Sequence, residues 1–202
     1  MPGARITNGE RVTLRTVEKE DVPFVQRALA NREIRHPMGN PVMNRRQLAD
    51  HLEENGADRF LICLEDEWAR DGTDANAETA ATGDDGRDVT RIGQVNVTDA
   101  DYKRPELGYW LVPTVHGEGY GTESVSLAID YAFRTYDAPA VGAEAYDFND
   151  ASRGLLESLG FTEEGRRRKY MFVDGAYRDM VQYGLLREEW REGKPESERG
   201  RA

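Results

Sequence analysis

Three glycines at alternate positions, Gly117, Gly119 and Gly121, separate a strand-like run from an amphipathic helical pattern. Glycine lets backbone N–H groups converge on a ligand, and it lets that ligand approach the chain closely. The first turn of the following helix would add N–H donors without intrahelical partners and the positive end of the helix dipole. Strand, glycine-rich turn and helix in this order predict a site for phosphate oxygens, although glycines also mark many plain tight turns.

The spacing of these glycines narrows the choice of phosphate ligand. No Lys-Ser/Thr follows the last glycine, as a Walker loop requires, and the third glycine comes one residue too early for a dinucleotide fingerprint. Residues 116–121 fit the pattern Q/R-x-x-G-x-G/A, with His116 in place of Gln or Arg. This loop resembles the pyrophosphate loop of the GNAT N-acetyltransferases, which bind acetyl-coenzyme A. The run Gly-Tyr-Gly-Thr-Glu-Ser resembles the branch of that family that acetylates the N-termini of ribosomal proteins.

A second segment, residues 149–161, carries the same resemblance. Its residues alone predict a helix with Asn149 as N-cap and Gly160 just beyond its end. The pattern N-x-x-S followed by L-x-x-x-G-F is similar to the second coenzyme A segment of the GNAT family. The resemblance implies that the Asn149 side chain contacts the pantetheine arm and that Ser152 lies near the thioester sulfur. Two motifs in the family's order and spacing are more specific than either one alone.

The resemblance extends from about Arg11 to Trp190 and implies acetyl-coenzyme A as co-substrate, with no metal. In this interpretation the cofactor contacts come from the end of a strand, the glycine loop and the second segment. The expected cofactor-binding residues are Leu111, Val112, His116, Gly117, Glu118, Gly119, Tyr120, Gly121, Thr122, Asn149 and Ser152.

Acetyl transfer to an amine needs few protein groups. The amine must be neutral before it attacks the thioester, yet a free α-amino group has a pKa near ~8, so a carboxylate within reach could accept its proton. Glu106 is the expected base, because the family often carries a Glu there; the alternative is a solvated charge at a strand end. Ser152 is expected to protonate or hydrogen-bond the departing sulfur, unless it only contacts backbone in its helix. The N–H groups of Leu111 and Val112 could hold the thioester carbonyl.

The hydrophobic pattern predicts strands at residues 10–17, 59–64, 92–98, 106–112, 140–146, 166–173 and 176–186. Helices are expected at 18–30 and 45–54, after the glycine loop, and after Asn149, whereas 31–43 is expected to be irregular. The resemblance implies an α/β fold, with a mixed, mostly antiparallel seven-stranded sheet and helices on both faces. It also implies that the fourth and fifth strands are splayed apart by the cofactor.

One domain is expected at residues 1–190, because 202 residues are enough for a single proper core. Residues 66–88 have almost no apolar content and are expected to form a mobile acidic insertion in a hairpin connection. The charged residues 191–202 are expected to form a disordered tail.

The formal net charge of −11 disfavours binding to nucleic acid through a basic face. There is no apolar run of membrane length and no signal-peptide pattern, and the single Cys63 fits a reducing compartment, so a cytoplasmic protein is expected. The acidic, lysine-poor composition resembles that of halophile proteins; the alternative is an ordinary acidic cytosolic protein. A monomer or a homodimer is compatible with these features.

Three functions remain open at this point. The favoured one is an acetyl-coenzyme A-dependent N-acetyltransferase that acts on a protein N-terminus. The second is an acetyltransferase for a small amine, such as a polyamine, an amino acid or an aminoglycoside. The third is a non-catalytic acyl-coenzyme A sensor. Asp99 and Asp101 are weaker candidates for holding a cationic acceptor.

Overall fold

The computed structural model describes residues 2–54, 57–65, 80–83, 86–100 and 104–193. The strands are β1 (Arg5–Asn8), β2 (Val12–Thr16), β3 (Asp58–Glu65), β4 (Ala80–Thr82), β5 (Asp88–Thr98), β6 (Glu106–Leu111), β7 (Ala140–Tyr146), β8 (Thr162–Val173) and β9 (Ala176–Leu186). The helices are α1 (Val22–Ala30), α2 (Arg32–Met38), α3 (Arg45–Glu54), α4 (Tyr120–Thr135), α5 (Asp150–Ser158) and α6 (Arg187–Gly193).

The strands form one twisted sheet in the order β1-β2-β3-β5-β6-β7-β9-β8, with β4 paired to β5. All neighbouring pairs are antiparallel except β6 and β7, which are parallel. Helices cover both faces of this sheet. One buried cluster joins α1–α3 to the sheet around Phe24, Leu48 and Trp110, and another joins α4–α6 to it around Ile129 and Leu156. Strands between two helical layers are apolar on both sides, which explains the continuous run in β3.

The predicted fold class is confirmed, and all seven predicted strands are present. Two short strands were not predicted, because neither β1 nor β4 has a long enough apolar pattern to be recognised. β4 lies within the predicted insertion 66–88, and it pairs with Asp88–Thr90 at the start of β5. The described part of that segment therefore extends the sheet, while residues 66–79 and 84–85 lie outside the described residues.

The prediction that residues 31–43 are irregular was wrong, because they contain α2. Asn31 ends α1 and also caps α2, since its side chain accepts a hydrogen bond from the Glu33 N–H at 2.9 Å. Ile34 is buried against α1, and Gly39 ends the helix with a φ of +64°. A capped helix of this length has too few turns to show a clear period. The predicted tail also begins too early: residues 191–193 belong to α6, and 194–202 lie outside the described residues.

β6 and β7 pair only at their beginnings, through Glu106 with Gly142 and Leu107 with Ala143. Beyond these two pairs the strands separate, so the predicted splay of the fourth and fifth predicted strands is confirmed. The gap opens towards the glycine loop, which follows β6. Among the described residues, no helix is both long enough and apolar enough to span a bilayer.

Candidate active site

The shape of the glycine loop depends on a left-handed backbone at two of its glycines. Gly117 and Gly119 have φ of +84° and +83°, a conformation that costs an L side chain about 1–2 kcal/mol. Gly119 is also the N-cap of α4 and provides no side chain to cap it. The Glu123 N–H makes a bond to the Gly119 carbonyl at 3.2 Å, so the N–H groups of residues 120–122 have no intrahelical acceptor. This helix terminus is suited to binding phosphate oxygens.

Arg11, directly before β2, holds the loop from outside. Its guanidinium donates to the Glu118 carbonyl at 3.0 Å and to the Glu123 carboxylate at 3.2 Å, and it lies 4.7 Å from the centre of the Tyr120 ring. The Glu123 carboxylate also accepts from the backbone N–H groups of Arg11 and Val12, at 2.7 and 3.2 Å. This ion pair offsets the negative charge of Glu123 beside the predicted anion site.

His116 ties the loop to the end of β6. Its Nε2 lies 3.1 Å from the Leu111 carbonyl oxygen. Because a carbonyl oxygen only accepts hydrogen bonds, Nε2 carries the proton in this contact. His116, which replaces the Gln or Arg of the family pattern, therefore donates a hydrogen bond to the backbone of β6.

Backbone groups along β6 alternate between two directions. The Val112 N–H donates to the Ile92 carbonyl at 2.8 Å, so it belongs to the hydrogen-bond ladder with β5. The prediction that this N–H holds the thioester carbonyl was therefore wrong. Alternation along an antiparallel strand directs the N–H and C=O groups of Tyr109 and Leu111 the other way, towards the gap beside β7. These backbone groups form a row along the wall of the gap.

Three polar side chains meet where α5 faces β6. The Asn149 side chain caps α5, since its Oδ1 accepts from the Ser152 N–H at 3.2 Å. The hydroxyl oxygens of Ser152 and Tyr109 are 2.9 Å apart, and the Tyr109 hydroxyl is 3.3 Å from the Ser152 carbonyl oxygen. Burial raises the pKa of Tyr109 to about 12, although the hydrogen bond with Ser152 acts in the opposite direction. The phenol is therefore protonated at neutral pH.

Glu106 begins β6, at the opposite end of the strand from the glycine loop. A Cβ on its neighbour Gly142 would lie 2.6–2.7 Å from the carboxyl atoms of Glu106, so this glycine leaves the space that the carboxylate occupies. Glu106 and Trp110 share one face of β6, while Tyr109 lies on the other. Trp110 packs with α1–α3, whereas Tyr109 reaches α5. The carboxylate and Ser152 therefore flank the gap from opposite faces of the sheet.

A cavity of about 930 Å³ joins these groups. Most of the predicted site residues line it: Glu106, Leu111, His116, Gly117, Gly119, Gly121, Thr122, Asn149 and Ser152. Val112, Glu118 and Tyr120 are not in its lining. The Glu118 carbonyl is bound by Arg11, and the Tyr120 side chain packs against the hydrophobic core.

The far end of the cavity lies between α2 and the β8–β9 hairpin. Carboxylates of Glu33, Asp99 and Glu106 line this end, and Glu144 forms an ion pair with Arg167 at 2.9 Å. Its apolar wall consists of Ile34, Pro37, Met38, Tyr146, Tyr170 and Met180. Asp101 lies outside the described residues.

A contact at the hairpin turn joins the two sides of this opening. The Asp174 carboxylate accepts from Arg32 at 2.8 Å and lies 3.7 Å from Nδ1 of His36. The hydrogen bond from Arg32 lowers the pKa of Asp174. Asp174 and Gly175 have φ of +50° and +80°, as in a two-residue type I′ turn. We call Arg32, His36 and Asp174 the rim contact.

Sequence reasoning missed two residues of this site. Arg11 lies about a hundred positions before the loop that it holds, and no local pattern connects the two. Tyr109 was assigned only to the strand pattern. Its period-2 position on the face opposite Trp110 was a signal that its hydroxyl could reach the helix behind the gap.

The sequence model described as acetyltransferase (GNAT) domain matches residues 11–162. The chain belongs to the GNAT acetyltransferase family. It is therefore an N-acetyltransferase that uses acetyl-coenzyme A, and the matched range contains both motifs identified in the sequence. Among the described residues, no group of three or more His, Cys, Asp or Glu side chains could hold a metal ion.

Individual GNAT relatives differ in their acceptors. The chain is 28% identical to YdaF of Bacillus subtilis, provisionally named a ribosomal N-acetyltransferase, over 90% of this chain and 94% of that protein. It is 25% identical to the spermidine N(1)-acetyltransferase of Vibrio cholerae, over 89% of this chain and 95% of that one. A structure of spermidine N-acetyltransferase from the same species, in complex with coenzyme A and spermine, has a TM-score of 0.71 at 21% identity, covering 90% and 99% of the two chains.

Proposed function

We propose that this GNAT enzyme acetylates the α-amine at the N-terminus of a protein by direct attack on the thioester of acetyl-coenzyme A. The observation that carries this proposal is the placement of Glu106 and Ser152 on opposite faces of one gap in the sheet. The amine would reach the carbonyl from the α2 side, where a base is available. The sulfur would depart on the α5 side, where a hydroxyl is available.

Each half of the cavity has groups suited to one substrate. The N–H groups at the start of α4 would bind the pyrophosphate, and the row of Tyr109 and Leu111 backbone groups would pair with the amides of the pantetheine arm. The Asn149 amide nitrogen would donate to the same arm, since its oxygen is engaged in capping α5. Tyr109 is the residue of this row whose side chain reaches Ser152, so its N–H would hold the thioester carbonyl in place of Val112.

The surroundings of the acceptor opening favour a peptide. Tyr170 lines the cavity, and Phe172 and Tyr177 are exposed further along the same hairpin, with ring centroids 5.2 Å apart. Such a surface could accommodate the residues that follow an N-terminal amine. The carboxylates of Glu33, Asp99 and Glu106 instead favour a small polycation such as a polyamine, which is the second candidate.

A direct test measures coenzyme A release from acetyl-coenzyme A with two sets of acceptors. One set contains peptides with free N-termini, and the other contains polyamines, amino acids and aminoglycosides. The release of free thiol can be followed with a thiol reagent, because Cys63 is fully buried and burial raises its pKa to about 12. Each reaction is repeated at several salt concentrations, which also tests the prediction of a halophilic protein.

We expect the highest kcat/KM with a peptide, and the same peptide with a blocked N-terminus should be inactive. A polyamine with a higher kcat/KM than every peptide would contradict the proposed acceptor and support the second candidate. Absence of thiol release with every acceptor, despite tight acetyl-coenzyme A binding, would favour an acyl-coenzyme A sensor.

A further inference from the structure

The Ser152 hydroxyl, which is expected to face the thioester, is hydrogen-bonded to a second hydroxyl, that of Tyr109. The Tyr109 hydroxyl, on the strand across the gap, lies 2.9 Å from Ser152 Oγ and 3.3 Å from the Ser152 carbonyl oxygen. Both residues line the cavity. Two arrangements of protons are therefore possible with the same heavy-atom positions.

In the first arrangement, Ser152 Oγ–H donates to Tyr109, and Tyr109 O–H donates to the Ser152 carbonyl. In the second, Tyr109 O–H donates to Ser152 Oγ, and the Ser152 proton is free to point into the cavity. Negative charge on a departing sulfur favours the second arrangement, because a hydroxyl hydrogen turns towards the charge that it can stabilise. The switch requires two hydroxyl rotations and no movement of the backbone.

We propose that Tyr109 is a positioning residue that orients the Ser152 hydroxyl towards the thioester sulfur. As the amine nitrogen forms its bond to the carbonyl carbon and the C–S bond breaks, the electron pair remains on the sulfur. Ser152 Oγ–H donates a hydrogen bond to this thiolate, while Tyr109 O–H donates to Ser152 Oγ. The amine proton leaves to the base, and the thiolate is protonated afterwards from water. Tyr109 keeps its proton throughout.

The protonation state of Tyr109 is consistent with this role. Burial raises its pKa to about 12, so the phenol stays a donor across the pH range in which the amine becomes neutral. A tyrosine acting as a base would instead need a lowered pKa. The proposal rests on acetyl transfer by this family and depends on neither the identity of the acceptor nor the role of Glu106.

The chain contains a matched control for the removal of this hydroxyl. Tyr183 on β9 also bonds to α5 through its hydroxyl, which contacts Arg153 at 3.2 Å and Glu157 at 3.1 Å. Tyr183 does not line the cavity. Tyr183→Phe therefore removes the sheet-to-α5 hydrogen bonds outside the site, whereas Tyr109→Phe removes those inside it.

The first experiment compares steady-state kinetics of wild type, Tyr109→Phe, Ser152→Ala, the double variant and Tyr183→Phe, with the best acceptor found. Tyr109→Phe should lower kcat about tenfold, as expected for weakening one hydrogen bond to a developing charge, with KM for acetyl-coenzyme A unchanged. The double variant should be no slower than Ser152→Ala, because Tyr109 acts through Ser152. Multiplicative losses in the double variant, or an unchanged kcat in Tyr109→Phe, would overturn the proposal.

A second experiment needs no acceptor, so it separates failure of this proposal from failure of the proposed function. The thiol pKa of bound coenzyme A is measured from thiolate absorbance, as the difference between the complex and the free protein. We expect a lower thiol pKa in wild type and Tyr183→Phe than in Tyr109→Phe and Ser152→Ala. The same thiol pKa in all four proteins would show that the Ser152–Tyr109 pair does not stabilise the thiolate.

Discussion

The two ends of the cavity are built from different parts of the polypeptide. The end near the glycine loop consists mainly of backbone: two left-handed glycines, the uncapped start of α4 and the outward-facing groups of β6. The acceptor end consists of side chains from α2, β5, β6, β7 and the β8–β9 hairpin. Backbone conformation is encoded by a few adjacent residues, whereas the side-chain wall depends on how five separate elements pack.

The two ends should therefore differ in the amino-acid substitutions that they tolerate. A backbone site accepts any residue type that keeps the conformation, so its specificity for phosphate is shared by the family. A side-chain site can change its acceptor by single substitutions, which fits the different acceptors named for the relatives of this chain. Substitutions at the two ends should therefore separate cofactor affinity from acceptor kinetics.

The largest effect is expected at the cofactor end. Gly119→Asp or Gly121→Asp should abolish acetyl-coenzyme A binding in calorimetry, because a carboxylate would face the pyrophosphate. A Cβ at Gly121 would already lie 2.9 Å from the Leu155 side chain. Gly175→Asp is the control, since Gly175 also has positive φ but has open space around it in the hairpin turn. Unchanged acetyl-coenzyme A affinity in both loop variants would show that the glycine loop does not bind the pyrophosphate.

The next effect is expected at the acceptor end. Glu106→Gln should lower the rate at neutral pH by roughly 10²–10⁴-fold, if this carboxylate accepts the amine proton. Cofactor affinity should stay the same, because the glycine loop lies at the other end of β6. Activity should recover in part as the pH rises towards the pKa of the amine, since the acceptor then arrives neutral. A pH–rate profile of thioester consumption, with the acceptor below saturation, measures this.

Asp99→Asn serves as the control for Glu106→Gln, because it removes a second carboxylate from the same end of the cavity. A wild-type profile for Glu106→Gln would show that water or another carboxylate accepts the proton. A profile changed only in Asp99→Asn would identify that carboxylate as the base.

A smaller effect is expected at Asn149, where the two functions of one side chain can be separated. Asn149→Asp keeps the oxygen that caps α5, so its thermal stability should match wild type, while loss of the amide donor should weaken coenzyme A binding about tenfold. Asn149→Ala should also lose about 1 kcal/mol of stability with the cap. Asn31, which caps α2 in the same way, is the control, and its Ala variant should lose stability only. Equal affinity in wild type and Asn149→Asp would exclude the amide contact.

A change of a few fold in the acceptor KM is expected when the rim contact is broken. Asp174→Asn should change KM for the acceptor but not KM for acetyl-coenzyme A, because the contact joins α2 to the hairpin. The pKa of Asp174 is lowered by the hydrogen bond from Arg32, so the carboxylate stays charged even as the pH falls to the ordinary aspartate pKa of about 4. The acceptor KM should therefore show no inflection from Asp174 between pH 6 and 9. Glu163→Gln, which removes an exposed ion pair with Arg166 on the same hairpin, is the control.

The smallest effect is expected for the predicted insertion. Removal of residues 67–78, with a short linker between Glu65 and Ala80, should leave thermal stability and cofactor affinity nearly unchanged, since loop length costs little. The strands on either side, β3 and β4, would be kept. A deletion variant that fails to fold would show that this segment packs as structure.

The sequence predicted the main elements of the cofactor end. Spaced glycines, an N-cap asparagine and amphipathic periodicity are local signals, and they predicted the strand–loop–helix unit and α5, whereas the splay of the strands was implied by the family resemblance. The hydrophobic pattern predicted seven strands, and the apolar run in β3 reflects its burial between two helical layers. α2, β1 and β4 were missed, because each is short and is stabilised by its neighbours more than by its own pattern.

Only the tertiary structure decided which side chains meet across the gap. Parallel pairing placed Glu106 over Gly142, and the register of β6 engaged the Val112 N–H with Ile92 while it turned Tyr109 towards Ser152. Arg11 reached the glycine loop because β2 packs beside α4. These contacts depend on strand order and register, which are set by the packing of the whole sheet, whereas a loop conformation is set by the residues within it.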